Sequence, residues 1–207
     1  MCGIIGFATR EHKPEHAALF HRLMVESQVR GLHAFGASWH DGHRLQIRKW
    51  ETLPAMSDVP AAQAIIYHNR YSTSGDWHAD ENNQPLQADG VSVAVNGVLS
   101  MKPRSEYEAE YGVRCATNND AEILLRRLLA DDDPEELAHK LHGSLAAVFI
   151  KCGEVYAIRN TSRPLHWFKF AGAVFVVSTV DIADRAGAPS VVHNVPAFKL
   201  FRLLDYV

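Results

Sequence analysis

The sequence begins Met1-Cys2-Gly3-Ile4-Ile5-Gly6, a cysteine followed by small and apolar residues. Removal of the initiator methionine would make Cys2 the N-terminal residue, which then carries both a thiol and a free α-amine. That amine has an ordinary pKa of about 7.7–8.0, so it can accept a proton near neutral pH without a histidine. The stretch therefore predicts a buried first strand with a nucleophile at its start. A structural interpretation stays open, since free cysteine is often a small buried hydrophobe.

Length and composition are those of a single globular domain. The chain has 207 residues, 47% of them hydrophobic and 22% charged, with a net charge of -3. This charge indicates no broad basic surface for nucleic acid. No apolar stretch approaches the roughly 20 residues of a membrane span, and the N-terminus lacks a signal-peptide pattern. We therefore expect one domain over residues 1–207, located in the cytoplasm, with no nucleic-acid or membrane partner.

The cysteines and histidines show no disulfide or metal-binding pattern. The three cysteines include no Cys-x-x-Cys pair, which agrees with a reducing compartment. Among the twelve histidines, His40 and His43 flank a turn, while His139 and His142 have no carboxylate or thiol at ligand spacing. We expect neither a metal site nor a cofactor.

Periodicity predicts strands, then helices, then strands again. The predicted helices cover residues 14–28 and 120–130, and a third begins after Asp133 at Pro134. Asn119 is the predicted N-cap of the second helix, and Glu122 three residues later completes the pattern of a capping box. The predicted strands cover residues 1–9, 34–40, 44–50, 63–69, 91–96, 144–151, 155–159, 173–178 and 191–203. Residues 73–89 are predicted to form a loop. This order favours an α+β fold of two packed sheets covered by helices.

Two arginines stand at the ends of predicted elements. Arg30 precedes Gly31 at the end of the first helix, where a basic residue also stabilises the helix dipole. Arg70 heads the stretch Arg70-Tyr71-Ser72-Thr73-Ser74-Gly75 after a strand. A planar guanidinium can bind a carboxylate through two parallel hydrogen bonds. Both arginines therefore have a structural and a functional interpretation.

Two further segments carry groups that could bind or stabilise charge. Asn96-Gly97 follows an apolar strand and offers an amide and a backbone N–H, although Asn-Gly is also a common hairpin turn. Asp120 lies in the stretch Thr117-Asn118-Asn119-Asp120-Ala121-Glu122, where a helix start also favours acids. The order of all these segments along the chain matters more than any one of them.

Together with Cys2, these segments resemble class II glutamine amidotransferases, members of the N-terminal-nucleophile hydrolase superfamily. Gln84-Pro85-Leu86 and the stretch 155–180 extend the resemblance over nearly the whole chain. The resemblance implies a four-layer αββα sandwich of two mainly antiparallel sheets. The chain departs from the family at Ser74, where synthase members often carry histidine, and at residues 98–101, where an asparagine is usual.

The resemblance also implies a role for each site residue. Cys2 is the nucleophile, and Asn96 with Gly97 forms the oxyanion hole. Glutamine is held at its α-carboxylate by Arg70 and at its α-ammonium by Asp120. The remaining site residues are Thr73 and Ser74, which line the pocket, and Arg30, which shapes it.

These roles predict that the chain hydrolyses the side-chain amide of L-glutamine through a γ-glutamyl thioester on Cys2. Family members usually carry a second domain that consumes the ammonia, and 207 residues leave no room for a synthase domain. We therefore expect a separate ammonia-accepting synthase as the partner. Two alternatives stay open: a stand-alone γ-glutamyl amide hydrolase acting on a larger conjugate, and a non-catalytic binding module of the same fold.

Overall fold

Two antiparallel sheets form the centre of the computed structural model, which describes residues 1–72 and 75–207. Thr73 and Ser74, two of the predicted pocket residues, lie outside the described residues. The strands are, in chain order, β1 (Gly3–Thr9), β2 (Ala34–His40), β3 (Leu45–Trp50), β4 (Ala64–Arg70), β5 (Leu86–Ala88), β6 (Val91–Val95), β7 (Ala146–Lys151), β8 (Glu154–Arg159), β9 (His166–Phe170), β10 (Ala173–Val177), β11 (His193–Asn194) and β12 (Phe201–Arg202). One sheet has the order β11-β9-β10-β1-β4-β2-β3 and the other β12-β8-β7-β6-β5.

Helices cover the outer face of each sheet. They are α1 (Pro14–Ser27), α2 (Arg104–Tyr111), α3 (Glu122–Leu129), α4 (Pro134–Lys140) and α5 (Val180–Arg185). Apolar residues of α1 and α5 pack on the seven-stranded sheet, and those of α2, α3 and α4 pack on the five-stranded sheet. A third buried cluster fills the space between the sheets. These three apolar layers separate four layers of secondary structure, so the predicted αββα sandwich is confirmed.

Strand β1 fixes the start of the chain within this sandwich. It is hydrogen-bonded to β10 on one side and β4 on the other. Its side chains alternate, so that Ile5 and Phe7 face α1 while Ile4 and Ala8 face the other sheet. A Cβ on Gly6 would lie 3.1 Å from Val148 Cγ1, so this glycine allows the two sheets to approach closely. Cys2 therefore precedes a strand that is held on both edges and both faces.

Most of the predicted elements are present with small shifts. Strand β2 has the predicted bounds, and the other predicted strands before residue 179 differ by one or two residues at an end. Helix α4 begins as predicted, with the Asp133 carboxylate accepting from the Glu135 N–H at 2.8 Å. The helix predicted over 120–130 begins at Glu122 instead. The Glu122 carboxylate accepts from the backbone N–H groups of Ala116 and Thr117, so Glu122 does not complete a capping box with Asn119.

Three predictions about the remaining segments are wrong or incomplete. The predicted strand 191–203 is wrong, because the chain crosses there from one sheet to the other: β11 pairs with β9, and β12 pairs with β8. The predicted loop 73–89 contains β5, which pairs with β6. Helices α2 and α5 and strand β9 were missed. In α2 only Tyr107 is buried, so the helix has no apolar periodicity to detect.

No helix among the described residues is both long enough and apolar enough to cross a membrane.

Candidate active site

Cys2, Arg30 and Asn96, three of the predicted site residues, meet at the start of β1. Arg30 Nε donates to the Cys2 carbonyl at 2.7 Å. In the amide orientation that both neighbours require, Asn96 Nδ2 donates to the same carbonyl at 3.2 Å, and Asn96 Oδ1 accepts from Arg30 Nη2 at 3.1 Å. The thiol lies 3.5 Å from the Tyr71 carbonyl oxygen. The backbone of Cys2 is thus held by side chains that come from two distant segments.

Arg30 reaches Cys2 because the end of α1 is attached to β4. Arg30 lies in a 3₁₀ turn that follows α1. The buried Asn69 side chain of β4 donates to the Ser27 carbonyl at 2.8 Å and to the Gly31 carbonyl at 2.9 Å, on either side of this turn. A Cβ on Gly31 would overlap the backbone of Arg70, so only glycine allows this close approach. In the Arg30-Gly31 pair, Gly31 is therefore required for close packing, and Arg30 supplies the positive charge.

The electrostatics around the N-terminus favour a neutral thiol and a neutral amine. Burial raises the pKa of the Cys2 thiol, and the nearby Arg70 and Arg30 guanidinium groups oppose this rise. Burial lowers the pKa of the Met1 α-amine, and the positive charges of Arg30 and Arg163 lower it further. A neutral thiol needs a base before it can attack a carbonyl. The amine with the lowered pKa belongs to Met1, whereas the predicted base is the Cys2 α-amine that removal of Met1 exposes.

Arg70 is buried at the end of β4, where it organises the loop that follows. Its Nη1 donates to the Asn82 carbonyl at 2.5 Å and to Asn83 Oδ1 at 2.6 Å. Its Nη2 donates to Ser72 Oγ at 3.2 Å and to the Gly75 carbonyl at 3.1 Å. Arg70 therefore holds this loop together through its hydrogen bonds. Its role in binding the α-carboxylate of glutamine stays a prediction.

Asp120 is buried and anchors the segment after Asn96-Gly97. Its Oδ2 accepts from the backbone N–H of Leu99 at 2.5 Å and of Ser100 at 3.1 Å. These bonds fix the segment in which the chain departs from the family sequence. Asp120 thus stabilises the backbone of this segment. Its role in binding the α-ammonium of glutamine stays a prediction.

Gly97 lies where no side chain can be accommodated. A Cβ there would overlap the Ser144 carbonyl oxygen. The next residue, Val98, donates its N–H to the Ser144 carbonyl and to Ser144 Oγ, each at 3.1 Å. Asn96 pairs with Ala146, and Val98 forms an isolated bridge with Ser144, so the hairpin-turn interpretation of Asn96-Gly97 is wrong. Among the described residues, no acceptor receives the Gly97 N–H, which agrees with the predicted oxyanion donor.

A cavity of about 250 Å³ lies between the two anchored segments. Its wall includes Gly75 from the Arg70 loop, and Asp120, Val98 and Ser100 from the other segment. Of the predicted site residues, this wall includes Asp120 and none of Cys2, Arg30, Arg70, Asn96 and Gly97. Larger clefts lie elsewhere on the surface and contain none of the predicted site residues.

Sequence reasoning missed Arg163. Its Nη1 donates to Met1 Sδ at 3.0 Å, and its Nε donates to Ser144 Oγ at 3.1 Å. The sequence signal for it was its position before Pro164-Leu165, within the stretch 155–180 that extends the family resemblance.

His68 of β4 is a buried ionisable side chain close to the site. It pairs with Ile4 and faces the space between the sheets. Neither ring nitrogen has a hydrogen-bond partner among the described residues. Burial, assisted by the positive charge of Arg70, lowers the pKa of His68 to about 3. His68 is therefore neutral in the native protein at physiological pH.

We expect His68 to make the protein less stable as the pH falls from 6.5 toward 3. The unfolded chain binds a proton near the ordinary pKa of 6.5, whereas the native chain does not until about pH 3. Each pH unit in this window lowers the free energy of unfolding by about 1.4 kcal/mol. Chemical denaturation across this range should show a shallower slope for His68→Leu, and an unchanged slope for the exposed control His193→Gln. Equal slopes for His68→Leu and the wild type would contradict the assignment.

Among the described residues, no group of three or more His, Cys, Asp or Glu side chains is placed to hold a metal ion.

Two solved structures are similar in fold to nearly the whole chain. The chain is similar to a glutamine phosphoribosylpyrophosphate amidotransferase from B. subtilis complexed with ADP and GMP, with a TM-score of 0.71 and 22% identity over 94% of this chain and 44% of that one. It is also similar to an allosteric regulatory enzyme of purine biosynthesis, with a TM-score of 0.71 and 23% identity over 95% and 45% of the two chains. The chain therefore spans less than half the length of either.

No protein-family model and no curated protein sequence matches the chain. At these identities, the structural likeness shows the fold. That fold is a four-layer αββα sandwich, as the sequence resemblance implied.

Proposed function

We propose that the protein hydrolyses the side-chain amide of L-glutamine through a γ-glutamyl thioester on Cys2. The observation that carries the proposal is the convergence of Arg30 and Asn96 on the Cys2 carbonyl within an amidotransferase fold. Arg70 and Asp120 support it further, since each anchors a segment that borders one cavity, whose wall includes Gly75 and Asp120. In this proposal they bind the α-carboxylate and the α-ammonium of glutamine.

The reaction begins when Cys2 Sγ bonds to the amide carbon and its proton passes to the Cys2 α-amine, which removal of Met1 exposes. The Asn96 amide and the Gly97 N–H stabilise the oxyanion of the tetrahedral intermediate. The carbon–nitrogen bond then breaks, and the α-ammonium returns the proton to the leaving nitrogen. Water hydrolyses the thioester, which releases glutamate and restores the thiol.

The partner in this proposal is a separate synthase that accepts the ammonia. Ammonia is largely protonated at neutral pH and is then no nucleophile, so an acceptor docked near Cys2 would use it before it escapes. Apolar side chains next to the site are exposed: Val29 and Leu32, which flank the Arg30-Gly31 pair, are 69% and 63% exposed. This surface suits contact with another protein.

The proposal is tested by glutamate release from L-glutamine, using protein whose intact mass shows that Met1 is absent. A matched preparation with a short N-terminal extension blocks the α-amine and leaves every side chain in place. We expect release by the processed protein and none by the extended one. Equal release by both would contradict the α-amine base. No release and no γ-glutamyl adduct on the processed protein would contradict glutamine hydrolysis.

A further inference from the structure

The guanidinium groups of Arg30 and Arg163 contact the Met1 side chain, next to Cys2. Arg30 Nη2 is 3.8 Å from Met1 Sδ, and Arg163 Nη1 is 3.0 Å from it. A thioether sulfur is only a weak acceptor for such donors. Among the described residues, neither arginine is within ion-pair distance of a carboxylate, and Asp181 acts on Arg30 only from farther away. The pair is therefore a site of positive charge that Met1 does not neutralise.

Arg163 is held in this position by the residues around the proposed oxyanion hole. Its Nε donates to Ser144 Oγ, and the same hydroxyl accepts from the Val98 N–H. Nearby, the Asn160 side chain donates to the Gly143 carbonyl at 2.8 Å and accepts from the Leu145 N–H at 3.1 Å. The segment that carries Arg163 is thus attached to the strand end that carries Gly97. A fixed cation is better suited to recognition than a mobile one, because less side-chain freedom is lost on binding.

The proposed reaction determines what occupies the space between these arginines. The α-amine of Cys2 returns a proton to the leaving nitrogen, so that nitrogen must come within hydrogen-bond distance of it. In the unprocessed chain, Met1 is bonded to this same α-nitrogen. A substituent on the leaving nitrogen therefore extends into the space that the Met1 side chain occupies, against Arg30 and Arg163.

We infer that Arg30 and Arg163 bind a carboxylate on the amine that leaves, so that γ-glutamyl amides of amino acids are better substrates than glutamine. The inference rests on the proposed thioester chemistry and names the substrate class of the same site; these substrates release no ammonia, so the synthase partner belongs to the reaction with glutamine. The γ-amide carbon–nitrogen bond breaks, and the amino acid departs with the proton from the α-ammonium. Water then releases glutamate from Cys2. Arg163 is the residue that determines specificity in this inference. Arg30 contributes charge too, but it also holds the Cys2 carbonyl, so its substitution would disturb the nucleophile as well.

The test compares γ-glutamylglycine with γ-glutamylglycinamide, which are alike in size and differ in the negative charge. We expect kcat/KM to favour γ-glutamylglycine by about tenfold or more, the value of a charge-assisted hydrogen bond. Arg163→Gln should bring this ratio close to one, and Arg163→Lys should retain part of it. The control Arg10→Gln changes an exposed arginine just beyond the far end of β1 and should keep the wild-type ratio. A wild-type ratio near one, or a ratio that Arg163→Gln leaves unchanged, would overturn the inference.

Binding to the Cys2→Ala variant separates this inference from the proposed function. Calorimetry with Met1-free Cys2→Ala protein needs no turnover. Tighter binding of γ-glutamylglycine than of γ-glutamylglycinamide supports the carboxylate site even if the wild type hydrolyses nothing. Equal binding of the two compounds overturns the inference, even if glutamine is hydrolysed.

Discussion

Glutamate release by the Cys2→Ala variant is expected to be lower than that of the wild type by about 10⁴-fold or more. Removal of a catalytic nucleophile in comparable hydrolases costs up to about 10⁶-fold in kcat. The loss is chemical rather than structural, because Arg30 and Asn96 hold Cys2 by its backbone carbonyl and the thiol itself makes one 3.5 Å contact, to the Tyr71 carbonyl. We therefore expect the melting temperature and the affinity for glutamine to change little.

The measurement is steady-state glutamate release, with glutamine affinity from calorimetry on the same preparations. Cys152→Ala is the matched control, since Cys152 is an exposed thiol outside the site. It should retain wild-type activity. Comparable activity in Cys2→Ala and the wild type would assign the chemistry to another residue, and activity lost in both variants would point to a general effect on the protein.

Arg70→Gln is expected to lower the free energy of unfolding by about 3 kcal/mol, since it removes buried hydrogen bonds to a charged group. The guanidinium holds the Asn82 carbonyl, Asn83 Oδ1 and the Gly75 carbonyl, and a shorter amide cannot reach all of them. The cost comes mainly from the lost charge-assisted hydrogen bonds and from Asn83 Oδ1, since the Asn82 and Gly75 carbonyls keep donors from Asn119 Nδ2 and Ser72 Oγ. The affinity for glutamine should fall as well, because the same loop borders the proposed pocket.

Arg70→Lys separates the structural role of this residue from its proposed role toward the substrate. Lysine keeps the positive charge but lacks the planar donors that bridge the loop. We expect it to recover part of the glutamine KM and little of the stability measured by urea denaturation. The control Arg48→Gln breaks an exposed ion pair with Asp58 and should cost less than about 1 kcal/mol. An Arg70→Gln variant as stable as this control would contradict the structural role.

The parts of the fold that could be predicted depend on local patterns. The alternation of apolar residues in β1, the apolar spacing in α1 and the Asp133-Pro134 start of α4 each arise from neighbours in sequence. The capping box at Asn119 failed because Glu122 binds the backbone of the preceding loop. The strand predicted over 191–203 failed because pairing with two different sheets divides it.

The candidate site shows the same division between local and long-range information. Order along the chain was sufficient to select Cys2, Arg30 and Asn96, and the structure brings these three together. The sequence could not indicate that Arg70 and Asp120 each anchor a loop, because the Asn82 and Leu99 backbone groups that they hold lie 12 and 21 residues away. Arg163 reaches Met1 across 162 residues of the chain, so no local pattern could reveal that contact.

The sequence by itself determined the class of fold and selected Cys2 as the candidate nucleophile. Apolar periodicity decides which faces are buried, and a cysteine after the initiator methionine supplies a thiol and an amine together. Only the tertiary structure decided the surroundings of that nucleophile. The side chains that meet at Cys2 come from segments joined by hydrogen bonds and close packing between distant residues, and these contacts form only when the two sheets pack together. The positive charge of Arg30 and Arg163 beside the amine is a property of that packing.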